Sequence, residues 1–228
     1  MPAAEGDTTR EPMDGADPGG ARRGVLSGAP RDAGQLVSTE VLEILKETGA
    51  YLTGHFLLSS GLHSPVYIEK FRLLERPDLA AKALADLAAR FRGDRVDVVM
   101  GPTTGGIIVA YEVARTLGAR AIFAEREGDR RILRRGFTIA PGERVLVVED
   151  VVTTGLSVRE VLDVAANAGG TVVGVGVIVD RSGGRADFGV RTERLVRVEF
   201  ETYDPEECPL CRENVPLVDP GSRRLGPA

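Results

Sequence analysis

The stretch VLVVEDVVTTGLS, Val145 to Ser157, determines the fold predicted for this chain. Its first four residues are large and apolar, and no polar residue alternates with them. This is typical of a strand buried on both faces of a parallel sheet. Two acids follow, Glu149 and Asp150, and then a turn that contains hydroxyl side chains and a glycine. The pattern predicts a strand, a ligand-binding loop and the start of a helix.

The loop after this strand has the features of an anion site. Ligands of open α/β sheets bind at the carboxyl ends of the strands, and the unpaired N–H groups of a helix N-terminus favour a phosphate. Glu149 and Asp150 would repel a phosphate, so we expect them to serve neutral hydroxyls of the same ligand or a hydrated Mg²⁺. A ribose 5-phosphate meets both demands. The alternative is a plain strand followed by an acidic helix cap and a threonine-rich turn.

The same segment resembles the signature with which type I phosphoribosyltransferases bind phosphoribosyl pyrophosphate (PRPP). The resemblance implies that the loop holds the 5-phosphate, that the acid pair holds the ribose 2- and 3-hydroxyls, and that Asp150 and Glu149 are catalytic. Mg²⁺ is then the cofactor, bound through PRPP and not by the protein directly. The PRPP-binding residues that the resemblance implies here are Glu149, Asp150, Val151, Val152, Thr153, Thr154, Gly155, Leu156 and Ser157.

The sequence around this segment predicts an α/β fold with a doubly wound parallel sheet, as in the type I phosphoribosyltransferases, and a small N-terminal hood. Strand-like and helix-like stretches alternate from residue 96 to residue 179. Residues 49–70 contain two short strand-like runs around a Ser-Ser-Gly turn, and we expect them to form the hood.

The chain is predicted to have three parts. Residues 1–35 contain almost no large apolar residues and are expected to be a disordered leader. Residues 36–204 are expected to form the phosphoribosyltransferase domain, and residues 205–228 a turn-rich C-terminal tail.

Bulk composition limits the possible partners. The net charge of −5 argues against a general binder of nucleic acid or of anionic membranes. No apolar run is long enough for a transmembrane helix, and the N-terminus lacks the apolar core of a signal peptide. We therefore expect a cytoplasmic protein with small-molecule substrates, and the resemblance implies a homodimer.

A second glycine-rich loop, GPTTGG at residues 101–106, also lies between a predicted strand and a predicted helix. Two such loops at one sheet edge indicate a ligand with two phosphate groups. In the resembling family this position binds pyrophosphate, which assigns that role to Thr103, Thr104 and Gly105. A structural turn is the alternative for this loop taken alone.

A basic segment interrupts the α/β alternation. Between Glu125 and Arg135 there are five arginines and three acids, in a chain that is acidic as a whole. The segment is either a solvated hairpin or a mobile lid whose arginines neutralise pyrophosphate as its charge develops. For the lid the resemblance implies catalytic roles for Arg126 and Arg130. The family's downstream lysine and histidine have no clear match here, and Arg130 or Arg131 is expected to substitute for them.

The hood resembles that of orotate phosphoribosyltransferases. The run FLLSSGLHSPVYIEK, Phe56 to Lys70, is similar to the segment that covers orotate in that family, and Val-Asp-Arg at 179–181 resembles its substrate strand. The resemblance implies that orotate is bound by Thr154, Arg181 and Tyr67, with Arg181 on the orotate carboxylate. The chain departs from the family at Ser59, where a lysine is common.

The resemblance implies the transfer of the phosphoribosyl group from PRPP to orotate, with orotidine 5'-monophosphate and pyrophosphate as products. Transfer to another base, such as a purine, is one alternative. A regulator that binds PRPP without turnover is another. The two cysteines, Cys208 and Cys211, leave several interpretations open: a local turn, a reversible disulfide, or half of a zinc site that only His55 and His63 could complete or that a dimer could share.

Overall fold

The computed structural model describes residues 38–220, so the predicted leader lies outside the described residues. This part of the chain forms a six-stranded sheet, a separate two-stranded sheet and flanking helices. The helices are α1 (Thr39–Glu47), α2 (Lys70–Leu74), α3 (Pro77–Ala89), α4 (Gly105–Leu117), α5 (Leu156–Asn167) and α6 (Pro209–Arg212). The strands are β1 (Tyr51–Leu57), β2 (His63–Ile68), β3 (Val98–Pro102), β4 (Arg120–Glu127), β5 (Arg130–Leu133), β6 (Arg144–Val152), β7 (Thr171–Asp180) and β8 (Thr192–Arg197).

The large sheet confirms the predicted α/β class. Its strand order is β5-β4-β3-β6-β7-β8, and all neighbours pair in parallel except β4 and β5. The antiparallel edge strand β5 belongs to the basic segment, which folds back on β4 as a hairpin. The basic segment therefore extends the sheet instead of leaving it.

The central strand β6 is buried on both faces, as its apolar run predicts. Val145 and Val147 belong to the core formed with α5, whereas Leu146 and Val148 belong to the core formed with α3 and α4. This division follows from the pleat, which points successive side chains to opposite faces. Helices on both faces explain why the run shows no polar alternation.

Strand β6 is longer than the predicted strand of residues 145–148. It continues to Val152, because Glu149 still pairs with Val177 and Val152 with Asp180 on β7. Glu149 and Asp150 therefore lie within the strand and not after it. Both acids are buried as a result.

The hood consists of β1 and β2, which pair antiparallel. Segments of the C-terminal region contact both outer edges of this hairpin. His63 of β2 and Tyr203 exchange two backbone hydrogen bonds of 2.9 Å, and Val218 forms a parallel bridge to Phe56 of β1. The boundary at residue 204 between domain and tail stays a prediction. No helix within residues 38–220 combines the length and the apolar character needed to cross a membrane.

Candidate active site

Asp150 lies at the carboxyl edge of the sheet, where it contacts the end of the hood. Its side chain is buried, and its Oδ1 accepts hydrogen bonds from Lys70 Nζ at 3.1 Å and from the backbone N–H of Val151 at 2.6 Å. Its Oδ2 lies 3.0 Å from Lys70 Nζ but accepts no hydrogen bond within the described residues. Asp150 therefore keeps an acceptor oxygen for a ligand.

The glycine-rich loop after β3 packs directly against this acid. A methyl group on Gly105 would overlap the carboxylate of Asp150, so only glycine lets α4 begin at this place. Thr104 is the N-cap residue of α4 and provides no capping side chain. The first amides of α4 thus lie beside the acid pair, and the side chain of Thr104 does not cap them.

Glu149 is buried next to Asp150. Ser157 Oγ donates a hydrogen bond of 2.7 Å to Glu149 Oε2, and the backbone N–H of Asp150 donates one of 3.1 Å to Oε1. Burial, together with the negative charge of Asp150, raises the pKa of Glu149 to about 7. The carboxyl group therefore titrates close to neutral pH.

The hydroxyl-rich loop leads from β6 into α5. Thr153 and Thr154 are exposed, whereas Gly155 is buried with a positive φ of 78°. A side chain at Gly155 would collide with the ring of Phe188. Gly155 is the N-cap residue of α5 and offers no capping side chain. The N–H of Leu156 donates a hydrogen bond of 3.4 Å to Thr154 Oγ1, and the amides that follow it are available to an anion.

The basic hairpin places one of its arginines against the glycine-rich loop. Arg131 donates a hydrogen bond of 3.3 Å to Thr103 Oγ1 and lies 3.0 Å from the carboxylate of Glu160 on α5. Arg126 binds the same carboxylate at 2.7 Å. Arg130 is different, because its side chain is 78% exposed and its ion pair is with Glu127 at 3.7 Å.

The predicted base-binding residues come from two separate parts of the fold. Arg181 follows β7, and its Nε is buried with no hydrogen-bond partner among the described residues. Its guanidinium lies 5.3 Å from the centre of the Phe200 ring. Burial raises the pKa of the hood residue Tyr67, and the positive charge of Arg181 opposes this shift, so the two side chains are electrostatic neighbours. Tyr67 also lies beside Phe56, with ring centres 5.7 Å apart.

Comparison with known proteins identifies the family. Residues 73–188 match the phosphoribosyl transferase domain. A protein from Pelotomaculum thermopropionicum, named orotate phosphoribosyltransferase, is 56% identical over 186 residues, which are 82% of this chain and 98% of the relative. One of the same name from Caldanaerobacter subterraneus is 55% identical over 186 residues, again 82% of this chain and 98% of the relative.

The chain belongs to the orotate phosphoribosyltransferase family. A solved structure agrees with this assignment: the orotate phosphoribosyltransferase from Aeropyrum pernix superposes with a TM-score of 0.58 at 34% identity, covering 69% of this chain and 93% of that one. The matched region begins after the hood and ends before the C-terminal tail, so it includes neither of them.

For an orotate phosphoribosyltransferase of this sequence, the structure adds two side chains that the sequence did not identify as site residues of their own. Lys70 stands at the end of the hood segment in the sequence, and no local pattern relates it to Asp150. For Arg131 the sequence predicts only that it or Arg130 substitutes for the lysine and histidine of the family's lid. Because successive side chains of a strand point to opposite faces, Arg130 and Arg131 are expected to face in opposite directions. The sequence does not predict which of the two contacts Thr103.

Proposed function

We propose that this chain transfers the 5-phosphoribosyl group of PRPP to orotate, which gives orotidine 5'-monophosphate and pyrophosphate in pyrimidine biosynthesis. The observation that carries the proposal is the position of Arg181, which directly follows β7 and lies close enough to Tyr67 of the hood for its positive charge to oppose the rise in the pKa of Tyr67. Arg181 is half-buried, and no ion pair joins it to a carboxylate among the described residues, so its guanidinium suits the orotate carboxylate, which it can bind in a bidentate manner.

The loops supply the sites for the two phosphate ends of PRPP. The N-terminus of α5, with Thr153, Thr154 and Ser157, is proposed to hold the 5-phosphate. The N-terminus of α4, with Thr103, Thr104 and Gly105, is proposed to hold the pyrophosphate. Support comes from the two uncapped helix starts at one sheet edge.

The acid pair is proposed to hold the sugar between these two sites. Glu149 and Asp150 accept hydrogen bonds from ribose hydroxyls, and their charge favours the positive character that develops at the anomeric carbon as its bond to pyrophosphate breaks. Lys70 keeps Asp150 oriented and limits the negative charge that faces the incoming phosphates. The ring nitrogen of orotate attacks the anomeric carbon directly, so no covalent enzyme intermediate is required.

Mg²⁺ is proposed to arrive with PRPP. Asp150 suits a hydrated Mg²⁺ ion at this place. Its buried Oδ2 accepts no hydrogen bond within the described residues, so it can accept one from a metal-bound water. When bound, the ion neutralises the charge of the pyrophosphate group. Arg131 and Arg126, which both form ion pairs with Glu160, are proposed to neutralise the charge of the pyrophosphate as well. The role of Arg130 stays a prediction.

The protein is further proposed to act as a cytoplasmic homodimer, as the family resemblance implies. Several apolar side chains of α2 and α4 are exposed and suit contact with a second copy: Phe71, Ile108 and Tyr111. Light scattering coupled to gel filtration tests this proposal directly, since it separates a mass of two chains from that of one.

The assay for the proposed reaction measures pyrophosphate release from PRPP and Mg²⁺ in the presence of single bases. Release with orotate, and not with adenine, hypoxanthine or uracil, is the expected result. Release with a purine would contradict the proposal and would indicate a purine phosphoribosyltransferase. Binding of PRPP without release for any base would indicate a regulator.

A further inference from the structure

Four side chains that the proposed reaction does not use lie together where the C-terminal region meets the hood. They are His55 of β1, His63 of β2, and Cys208 and Cys211 at the start of α6. One nitrogen or sulfur atom from each lies within 4.8 Å of the atoms from the other three. His55, His63 and Cys208 are buried, and Cys211 is exposed.

The separations between these atoms fit a tetrahedral metal centre. In a site with Zn–S bonds of about 2.3 Å and Zn–N bonds of about 2.05 Å, a sulfur and a nitrogen ligand lie about 3.5 Å apart. His55 Nε2 is 3.5 Å from Cys208 Sγ and 3.8 Å from Cys211 Sγ, and His63 Nδ1 is 3.3 Å from Cys211 Sγ. The two cysteines are not joined by a disulfide.

The two imidazole nitrogens, His55 Nε2 and His63 Nδ1, are 2.9 Å apart, which is a hydrogen-bond distance. A metal ion between them would replace the shared proton and separate the nitrogens to about 3.3 Å. This requires a movement of only a few tenths of an ångström.

The remaining nitrogen of His55 is arranged as it is in metal sites. Nδ1 lies 2.8 Å from the carbonyl oxygen of Val215, so its N–H donates there and leaves the lone pair of Nε2 for a metal. A carbonyl partner on the second nitrogen fixes both the tautomer and the orientation of the ring. The chain thus supplies an outer contact as well as four inner ligands.

A β-bulge in the hood brings the two histidines to one place. Thr53 pairs with Val66 but Phe56 pairs with Ser64, so β1 has one more residue than β2 between these pairs. In a regular ladder continued from Thr53, His55 would lie opposite Ser64, and the pleat would separate its side chain from that of His63. With the extra residue the ring centres are 4.7 Å apart.

We propose that His55, His63, Cys208 and Cys211 bind one structural Zn²⁺ that fastens the C-terminal segment to the hood. Two thiolates and two imidazoles in a tetrahedral arrangement select zinc among the common divalent ions. All four positions are filled by protein atoms, which is the mark of a structural and not a catalytic zinc. All four come from one chain, so the site needs no second subunit.

A zinc ion would strengthen this junction between the C-terminal region and the hood. Isolated bridges at Tyr203 and Val218 also join the C-terminal region to the edges of the hood. The ion would tie both hood strands to the first turn of α6. It would thereby hold the strand that continues from His63 to Tyr67.

The test begins with the full chain, purified without a histidine tag and under reducing conditions. Mass spectrometry of the metal content is expected to give about one zinc per chain. Replacement by Co²⁺ is expected to produce the visible absorption bands of a tetrahedral ion and a thiolate charge-transfer band. Zinc should also raise the midpoint of thermal unfolding, because it binds only the folded site.

A folded, reduced protein that takes up neither Zn²⁺ nor Co²⁺ would overturn the proposal. One zinc per two chains would also contradict it, because it would mean a site shared across a dimer. A Cys208–Cys211 disulfide that forms in air while Zn²⁺ is present at saturation would contradict it as well.

Variants identify the ligands. Cys211→Ser changes an exposed residue and should leave the fold intact, while it abolishes zinc retention during gel filtration and weakens the thiolate band of the cobalt protein. His63→Gln should lose zinc in the same way. Glu207→Gln, an exposed acid of the same segment, is the matched control and should retain zinc like the unmodified chain. Equal retention by Cys211→Ser and Glu207→Gln would refute the assignment.

Discussion

Lys70 Nζ lies 3.0 Å from Asp150 Oδ2, and this ion pair joins the end of the hood to the carboxyl edge of the sheet. The carboxylate is almost completely buried, with 3% of its side chain exposed, whereas the lysine reaches solvent. A buried carboxylate without a counter-charge is costly. The pair therefore couples the position of the hood to the acid proposed to hold the ribose.

Replacing Lys70 by alanine should disturb PRPP more than orotate. Without the lysine, Asp150 loses its counter-charge and its orientation, and kcat/KM for PRPP should fall roughly 10- to 100-fold. Steady-state kinetics with each substrate varied in turn measures this effect. Lys46→Ala is the control, because the ion pair of Lys46 with Glu43 lies on the exposed face of α1. Similar kinetics for the two variants would exclude Lys70 from the site.

Asp150→Asn should reduce turnover while it preserves the fold. The amide keeps the size of the side chain but removes the charge that favours the transition state, so we expect a loss in kcat on the order of 100-fold. Circular dichroism checks the fold, and pyrophosphate release measures turnover. Asp163→Asn on the exposed face of α5 serves as the control. Near-normal turnover by Asp150→Asn would remove the acid from the proposed mechanism.

Arg181→Ala should affect orotate selectively. A guanidinium that binds the orotate carboxylate contributes as hydrogen bonds to charged groups do, so the KM for orotate should rise roughly 10- to 100-fold. The KM for PRPP should change little. Arg185→Ala, an exposed arginine four residues along the chain, is the control. A parallel rise in both KM values would contradict the role as substrate anchor.

Arg131→Ala should lower kcat more than Arg130→Ala does. Arg131 bonds Thr103 of the proposed pyrophosphate loop, whereas Arg130 is exposed and paired only with Glu127. Loss of a cation beside the leaving group should cost about tenfold or more in kcat. Arg131→Lys, which keeps the charge, should recover part of the loss. A greater effect at Arg130 would show that the basic hairpin rearranges when PRPP binds.

The pH dependence of kcat/KM for PRPP should report the ionisation of Glu149. Its pKa is raised to about 7 by burial and by Asp150, and the ionised form accepts the ribose hydroxyl, so kcat/KM should rise with pH through this value. Glu149→Gln should lose this ionisation when measured under the same conditions. Asp150→Asn should move it to lower pH, because the neighbouring negative charge is removed. An unchanged profile in Glu149→Gln would assign the ionisation to PRPP itself.

The same raised pKa has an opposite consequence for stability. The folded protein binds the Glu149 proton more tightly than the unfolded chain does, so this group costs stability as pH rises from about 4.5 to about 7. Glu149→Gln should therefore reduce the loss in the free energy of unfolding over this interval. Urea denaturation at several pH values provides the measurement.

Local features of the sequence were sufficient to predict the strand, the loops and the hood that surround the site. The apolar run at residues 145–148 predicted a strand covered on both faces. Hydroxyl and glycine patterns predicted α5 and the two loops that are proposed to bind phosphate. The hood was predicted from two strand-like runs around a turn. These features are set by neighbours in sequence, because periodicity and turn chemistry act over a few residues.

Tertiary structure alone decided which side chains meet. Lys70 and Asp150 are 80 residues apart, and His55 and Cys208 are 153 residues apart, so no spacing rule relates either pair. The pairing of β4 with β5 placed Arg131, and not Arg130, against Thr103. One extra residue in β1 brought His55 next to His63.

Local sequence patterns were enough to predict the strand, the loops and the family signature. The long-range packing of hood, sheet and C-terminal segment determined the contacts of the acid pair and assembled the proposed zinc site, because both depend on register between distant strands.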